Sequence, residues 1–132
     1  MNLRTVLALD FACALAGAAG YALLFDVVVE RLSLPRAVVQ VQLGANVAYA
    51  AYGGLALLSG TRNIRFLGLL CGMNFLYAGV CAVGAVTLQV LSMTSPWGAL
   101  LLVVESLLIA ALASFELRFL RSFKPTPQPH EA

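Results

Sequence analysis

The chain has 132 residues, of which 61% are hydrophobic and 11% are charged, and its formal net charge is +2. A soluble domain carries about 25% charged residues, and a chain this short leaves much of its surface in contact with solvent. The composition therefore excludes an ordinary soluble domain and predicts a protein surrounded by lipid. The small net charge, with no basic stripe among aromatic residues, indicates that nucleic acid is not a partner.

Four charge-poor segments are each long enough to cross a bilayer, which takes about 20 apolar residues. The first covers about 5–29 and the second about 37–59. The uncharged stretch 66–104 would be about 58 Å long as one helix, so it must turn back, and the turn residues of SMTSPWG at 92–98 divide it. The third and fourth spans therefore cover about 66–91 and 97–119. The predicted fold is all-α, a single integral membrane four-helix bundle within 1–121.

The first span also has features of a cleaved signal peptide. Arg4 gives it a positive start, and Ala14-Leu15-Ala16 resembles a cleavage site for a signal peptidase. Against cleavage, Asp10 interrupts the apolar segment, which then continues well past the alanines to Val29. A retained transmembrane helix is therefore the favoured interpretation.

Basic residues predict the orientation of the bundle. Arg31 and Arg36 lie between the first two spans, whereas the other side holds Arg4, Arg62, Arg65, Arg118, Arg121 and Lys124. The positive-inside rule then places both termini and the loop 62–65 in the cytoplasm. Trp97 and Tyr21 are expected toward the outer interface, and the proline-rich segment 122–132 is expected to be a disordered cytoplasmic tail.

The cysteines give no sign of metal or redox chemistry. Cys13, Cys71 and Cys81 all lie within spans, without a C-x-x-C pair and without a histidine in any span. We expect small, buried apolar side chains here. No cofactor, metal site or catalytic residue is predicted.

Polar residues within the spans are the candidates for function, because an uncovered polar group in lipid is costly. Counting about 1.5 Å per residue from the helix ends places Tyr21, Asn46, Tyr77 and Glu105 in one layer. A second layer nearer the cytoplasm contains Asp10, Tyr52 and Asn74. Asp10, a turn and a half into its helix, is expected either to meet water or to contribute favourably near a helix N-terminus, and Glu116, next to Arg118 and Arg121, is expected at the cytoplasmic interface.

Glu105 is the strongest candidate for a functional residue, because no basic residue lies in any span to pair with it. A charge at the middle of a membrane helix costs about 2.5–3.5 kcal/mol. The carboxyl group must therefore be protonated or held by amide and hydroxyl donors. Two interpretations stay open: a proton-coupled or ligand-binding carboxylate, and a buried acid that fixes the register of the fourth helix.

Two short patterns indicate helix contacts. Asn46-x-x-Tyr49 recurs as Asn74-x-x-Tyr77, and this spacing puts amide and phenol on one helical face. The simplest account is a pair of interhelical hydrogen-bonding clamps, and duplication of a helical hairpin is the alternative. A G-x-x-x-G at 68–72 allows close approach by a helix of this chain or of a second copy.

The motifs of the last three spans support a resemblance. They are Leu34-Pro35-Arg36, Gly44-Ala45-Asn46-x-x-Tyr49, Asn74-x-x-Tyr77-Ala78-x-x-Cys81, Glu105 and Phe115-Glu116-Leu117-Arg118. Over about residues 20–121 the chain resembles small uncharacterised bacterial four-helix inner-membrane proteins, which implies this topology and a multi-pass inner-membrane location. It is also similar in length and helix number to the small multidrug resistance transporters, dimers whose essential carboxylate lies in the first helix; here the central acid is in the fourth. The four-helix eicosanoid and glutathione enzymes are of similar size but need basic residues that these spans lack, so we expect no enzyme.

Two functions follow as alternatives. The first is a structural or accessory membrane protein that makes helix–helix contacts with itself or with a membrane partner. The second is a proton-coupled small transporter that acts as an oligomer around Glu105, because a single four-helix bundle is too thin to enclose much of a pathway. Besides the lipid bilayer, the expected partner is a second copy or another membrane protein. The predicted polar cluster contains Glu105, Asn46, Tyr49, Asn74, Tyr77 and Tyr21, with Asp10 and Tyr52 as further members.

Overall fold

The computed structural model describes residues 3–59 and 64–122. Within them the chain forms α1 (Leu3–Leu23), α2 (Phe25–Glu30), α3 (Arg36–Leu58), α4 (Ile64–Val90) and α5 (Pro96–Ser122), and no strand. The predicted all-α four-helix bundle is confirmed. Arg62 and the tail 123–132 lie outside the described residues, and the orientation of the bundle stays a prediction.

Four helices, α1, α3, α4 and α5, are each long and apolar enough to cross a membrane. Each corresponds to one predicted span, as in a small multi-pass membrane protein. The first span is nevertheless not one helix from 5 to 29, because Leu24, with φ −105° and ψ 15°, separates α1 from the short α2. At the other end of the chain, α5 continues to Ser122, beyond the predicted limit of 119.

The long helices pack as two pairs. α1 lies along α3 and α4 lies along α5, whereas close backbone approach between the pairs is sparse. Small residues permit the close packing within each pair: a Cβ on Gly53 of α3 would lie 3.3 Å from Cβ of Phe11 in α1. In the other pair, Ser106 Oγ donates a hydrogen bond to the carbonyl oxygen of Ala78 at 2.8 Å.

The bundle has a turn end, with the loops 31–35 and 91–95, and a terminal end, where α1 begins and α5 finishes. An apolar cluster fills each of them. The cluster at the turn end contains Tyr21, Val28, Leu34, Val39, Ala85 and Leu102. The cluster at the terminal end contains Val6, Leu7, Ala56, Leu67 and Leu70. Between the two clusters, the buried residues are small apolar side chains and polar ones, among them Asp10, Gln42, Asn46, Asn74 and Glu116.

The two loops of the turn end bind one another. The carbonyl oxygen of Leu32 accepts hydrogen bonds from Ser95 Oγ at 2.6 Å and from Thr94 Oγ1 at 3.3 Å. Ser33 and Ser92 occupy the same left-handed conformation, with φ 54° and 55°. These bonds fix the first helix pair to the second at this end.

The chain order argues against a duplicated hairpin as the source of the two Asn-x-x-Tyr segments. Asn46 and Tyr49 lie in α3, the last helix of the first pair, while Asn74 and Tyr77 lie in α4, the first helix of the second pair. A duplicated hairpin would place both segments in equivalent helices.

Candidate intramembrane polar site

Glu105 of α5 accepts hydrogen bonds from all three other long helices. Its Oε2 accepts from Tyr21 of α1 at 2.5 Å and from Nε2 of Gln42 at 3.0 Å. Its Oε1 accepts from Tyr77 of α4 at 3.4 Å and from Nδ2 of Asn46 at 3.5 Å. An ionised carboxylate has about four acceptor sites, so these neutral donors can hold its charge without a basic partner.

The donors around Glu105 also bind one another. The hydroxyl of Tyr77 lies against Oε1 of Gln42 as well as Oε1 of Glu105, and its single proton serves one of the two at a time. Nε2 of Gln42 lies 3.3 Å from Sγ of Cys81. Asn46 Nδ2 is anchored to the carbonyl oxygen of Gln42 at 2.9 Å. Gln42 is absent from the predicted cluster, although its four-residue spacing from Asn46 puts both amides on one helical face.

A second polar group lies toward the terminal end. Nδ2 of Asn74 in α4 donates to Oδ1 of Asp10 in α1 at 2.9 Å and to both carboxyl oxygens of Glu116 in α5 at 3.2 and 3.3 Å. The exposed fraction is 2% for Asp10 and 0% for Glu116. The expectation that Asp10 meets water is therefore wrong.

The expected interfacial position of Glu116 is also wrong. α5 runs on to Ser122, so Glu116 lies well inside the helix, and it faces inward. Arg118, two residues further on, is exposed, because positions two apart in a helix face in different directions. Proximity in sequence to two arginines therefore gave the wrong face.

Several aromatic side chains make contacts, or have an exposure, different from those expected. The rings of Tyr49 and Tyr77 pack with their centroids 5.7 Å apart, so α3 and α4 meet here through aromatic contact. Tyr52 is not brought to Asp10 and Asn74; its hydroxyl donates to the carbonyl oxygen of Phe66 at 3.4 Å near the start of α4. Tyr21 is buried against Glu105, whereas Trp97 is 69% exposed.

Spacing along the helices explains the two polar layers. Eleven residues separate Asp10 from Tyr21 in α1, and eleven separate Glu105 from Glu116 in α5. Eleven residues make about three helical turns and about 16 Å, so both members of each pair lie on one face. Because α1 and α5 run in opposite directions, Tyr21 meets Glu105 and Asp10 meets Glu116.

A cavity of about 390 Å³ lies between the layers. Its polar wall comes from Asp10, Asn46, Tyr49, Asn74, Tyr77 and Glu105. The apolar wall includes Leu108 of α5 and Ala16 of α1, both of which are exposed at the surface of the bundle. The cavity therefore opens sideways between α1 and α5, at the depth where lipid is expected.

Metal binding has no support among the described residues, which contain no group of three or more His, Cys, Asp or Glu side chains that could hold an ion. The chain matches no protein-family model, and no curated protein or solved structure is detectably similar to it. Functional inference therefore rests on the chemistry of the site.

Proposed function

We propose that this small multi-pass membrane protein binds an amphipathic organic cation in the cavity between α1 and α5, in exchange for a proton. The observation that supports this proposal is the cavity itself, in which the acids Glu105 and Asp10 and an aromatic pair share one space with an apolar wall. Each of these features suits a different part of such a ligand.

The carboxylate of Glu105 supplies the charge. Its neutral donors stabilise the ionised form but do not neutralise it, so in a medium of low dielectric constant a cation in the cavity is attracted strongly. When the cation leaves, a proton is the other species that lowers the cost of the buried charge. Binding of the cation and release of a proton are therefore coupled.

The rest of the cavity suits the body of the ligand. Tyr49 and Tyr77 both line it, and a cation over an aromatic face gains about 0.5–2 kcal/mol. Leu108, Ile109 and Leu112 supply the apolar wall. The volume of about 390 Å³ lies within the range of small-molecule sites, about 300–1,000 Å³.

An accessory role through helix contacts is the second candidate, and one observation favours it. Gly68 and Gly72 of α4 face away from the bundle, and a Cβ built on either glycine has nothing within 4 Å. The glycine face of α4, defined by these two residues, is therefore available to a helix outside this chain. Self-association through this face also serves transport, because a single four-helix bundle is too thin to enclose much of a pathway.

The test is binding of radiolabelled tetraphenylphosphonium to the protein in phosphatidylcholine nanodiscs. We expect saturable binding that weakens as the pH falls, because protons then compete for the carboxylate. Glu105→Gln keeps the shape, removes the charge and turns one of the two accepting oxygens into an N–H donor, so the affinity is expected to fall at least about tenfold, which is a loss of about 1.4 kcal/mol.

The matched control is Glu30→Gln, the same chemical change at an exposed position at the end of α2, and it is expected to leave binding unchanged. Carbodiimide labelling of Glu105, blocked by the cation, gives a second readout that does not depend on affinity. Binding that is unaffected by Glu105→Gln, or is equally reduced by Glu30→Gln, contradicts the proposal.

A further inference from the structure

The carboxyl groups of Asp10 and Glu116 lie side by side, because Nδ2 of Asn74 is 2.9 Å from Oδ1 of Asp10 and 3.2 and 3.3 Å from the two oxygens of Glu116. Both are almost completely buried, and the shared donor Asn74 serves one oxygen of Asp10 and both oxygens of Glu116. The other oxygen of Asp10, Oδ2, is buried and has no hydrogen-bond partner among the described residues. A buried acceptor without a donor costs about 1–3 kcal/mol, so this atom indicates an unassigned ligand.

Among the described residues, the groups that act most strongly on the two carboxyl groups include no basic side chain. The titratable groups that face it are Cys13 of α1, Tyr49 of α3 and Cys71 of α4. Arg118 of α5 is exposed. Two adjacent carboxylates in such a site repel each other strongly, as in the acid dyads that share one proton.

We propose that Asp10 and Glu116 form a second site, which holds one proton between their carboxyl groups. A proton fits better than a metal ion, because the N–H donor of Asn74 already points at both carboxyl groups. The shared proton supplies the donor that Oδ2 of Asp10 lacks. This proposal goes beyond the cation site, because the proton is held whether or not an organic cation binds at Glu105.

The position of the pair gives the proton a route. Asp10 also lines the cavity that contains Glu105, and the pair lies about 16 Å nearer the terminal end of the bundle. A proton that leaves Asp10 therefore enters the same space as the cation. The pair would hold a proton on the terminal side of the cavity and release it into the cavity.

The test is infrared spectroscopy of the purified protein in nanodiscs at pH 7, in the Glu105→Gln background so that Glu105 does not contribute. We expect a carbonyl band of a protonated carboxyl group equal to one group per chain, shifted by exchange into D₂O. Adding Asp10→Asn and Glu116→Gln removes the band. The amides keep the size of the acids and supply permanent N–H donors, which favours folding.

A band absent at pH 7, or one equal to two groups per chain, overturns the sharing of one proton. A second measurement needs no variant at the pair: the unfolding temperature of the Glu105→Gln protein is expected to fall between pH 7 and pH 9. The reason is that the folded protein holds one proton more than the unfolded chain at pH 7, so a rise in pH favours the unfolded chain. Stabilisation at pH 9 by NaCl but not by choline chloride would identify a sodium site and overturn the proposal.

Discussion

At Gly17, the absence of a side chain leaves room for the amide of Asn46. A Cβ built on Gly17 overlaps Oδ1 of Asn46 and lies 2.9 Å from its Cγ. Gly17→Ala therefore forces Asn46 away from Glu105 and from the carbonyl oxygen of Gln42. Overpacking costs about 1–3 kcal/mol and the gain in helix propensity is about 1 kcal/mol, so we expect the free energy of unfolding to fall by up to about 2 kcal/mol.

The control for this prediction lies one turn further along the same helix. A Cβ on Gly20 has nothing within 4 Å, so Gly20→Ala should raise the free energy of unfolding by up to about 1 kcal/mol. Both variants are measured by denaturant titration in mixed micelles. Equal effects of the two substitutions would show that helix propensity, and not the contact with Asn46, decides the stability.

The sequence predicted much of the Glu105 site and less of the Asp10–Glu116 site, for a physical reason. Depth follows from residue number, so counting along the helices placed Tyr21, Asn46, Tyr77 and Glu105 at one level. Facing direction depends on helical phase and on where a helix ends, and Glu116 was misplaced on both grounds. Its eleven-residue spacing from Glu105 was the available signal that it faces inward.

At the scale of elements, the turn end depends on Ser95. Its hydroxyl donates to the carbonyl oxygen of Leu32 at 2.6 Å and accepts from the backbone N–H of Gly98 at 3.2 Å. One atom thus caps α5 and fixes the loop of the first helix pair. We expect Ser95→Ala to lower the free energy of unfolding by about 0.5–2 kcal/mol, the usual cost of losing an N-cap.

Ser114→Ala is the matched control for Ser95→Ala. Ser114 is exposed, and its hydroxyl donates a hydrogen bond to the carbonyl oxygen of Ala110 in the same helix. Such a bond within a helix adds little or slightly destabilises it, so the control is expected to unfold like the original protein. If the Ser95→Ala variant also unfolds like the original protein, the loop contact contributes little to the free energy of unfolding.

Helix boundaries followed from the sequence where charge and hydrocarbon thickness set them. α3 and α4 begin and end within two residues of their predicted limits, because Arg36 and Arg65 mark the ends of charge-free runs. No glycine or proline at Leu24 predicts the separation of α1 from α2. It reflects packing instead, since Val28 of α2 belongs to the apolar cluster at the turn end.

At the scale of the whole molecule, the bundle has an apolar cluster at each end and buried polar residues between them. The apolar clusters and the hydrogen bonds of the turn end keep the two helix pairs together, while the polar residues span the gap between them. Because backbone approach between the pairs is sparse, side chains such as Glu105 and Asn74 provide much of the contact there. The same polar side chains therefore serve both stability and binding, and Glu105→Gln must be judged by ligand binding as well as by folding.

The last prediction concerns assembly through the glycine face of α4. Two copies that pack there would bring their backbones close, as small residues permit in membrane helices. We expect a dimer in nanodiscs, by mass photometry or analytical ultracentrifugation, and Gly72→Leu should convert it to a monomer. The control is Gly44→Leu on α3, where a Cβ also has nothing within 4 Å. A wild-type monomer, or a dimer that survives Gly72→Leu, would remove this face as the site of assembly.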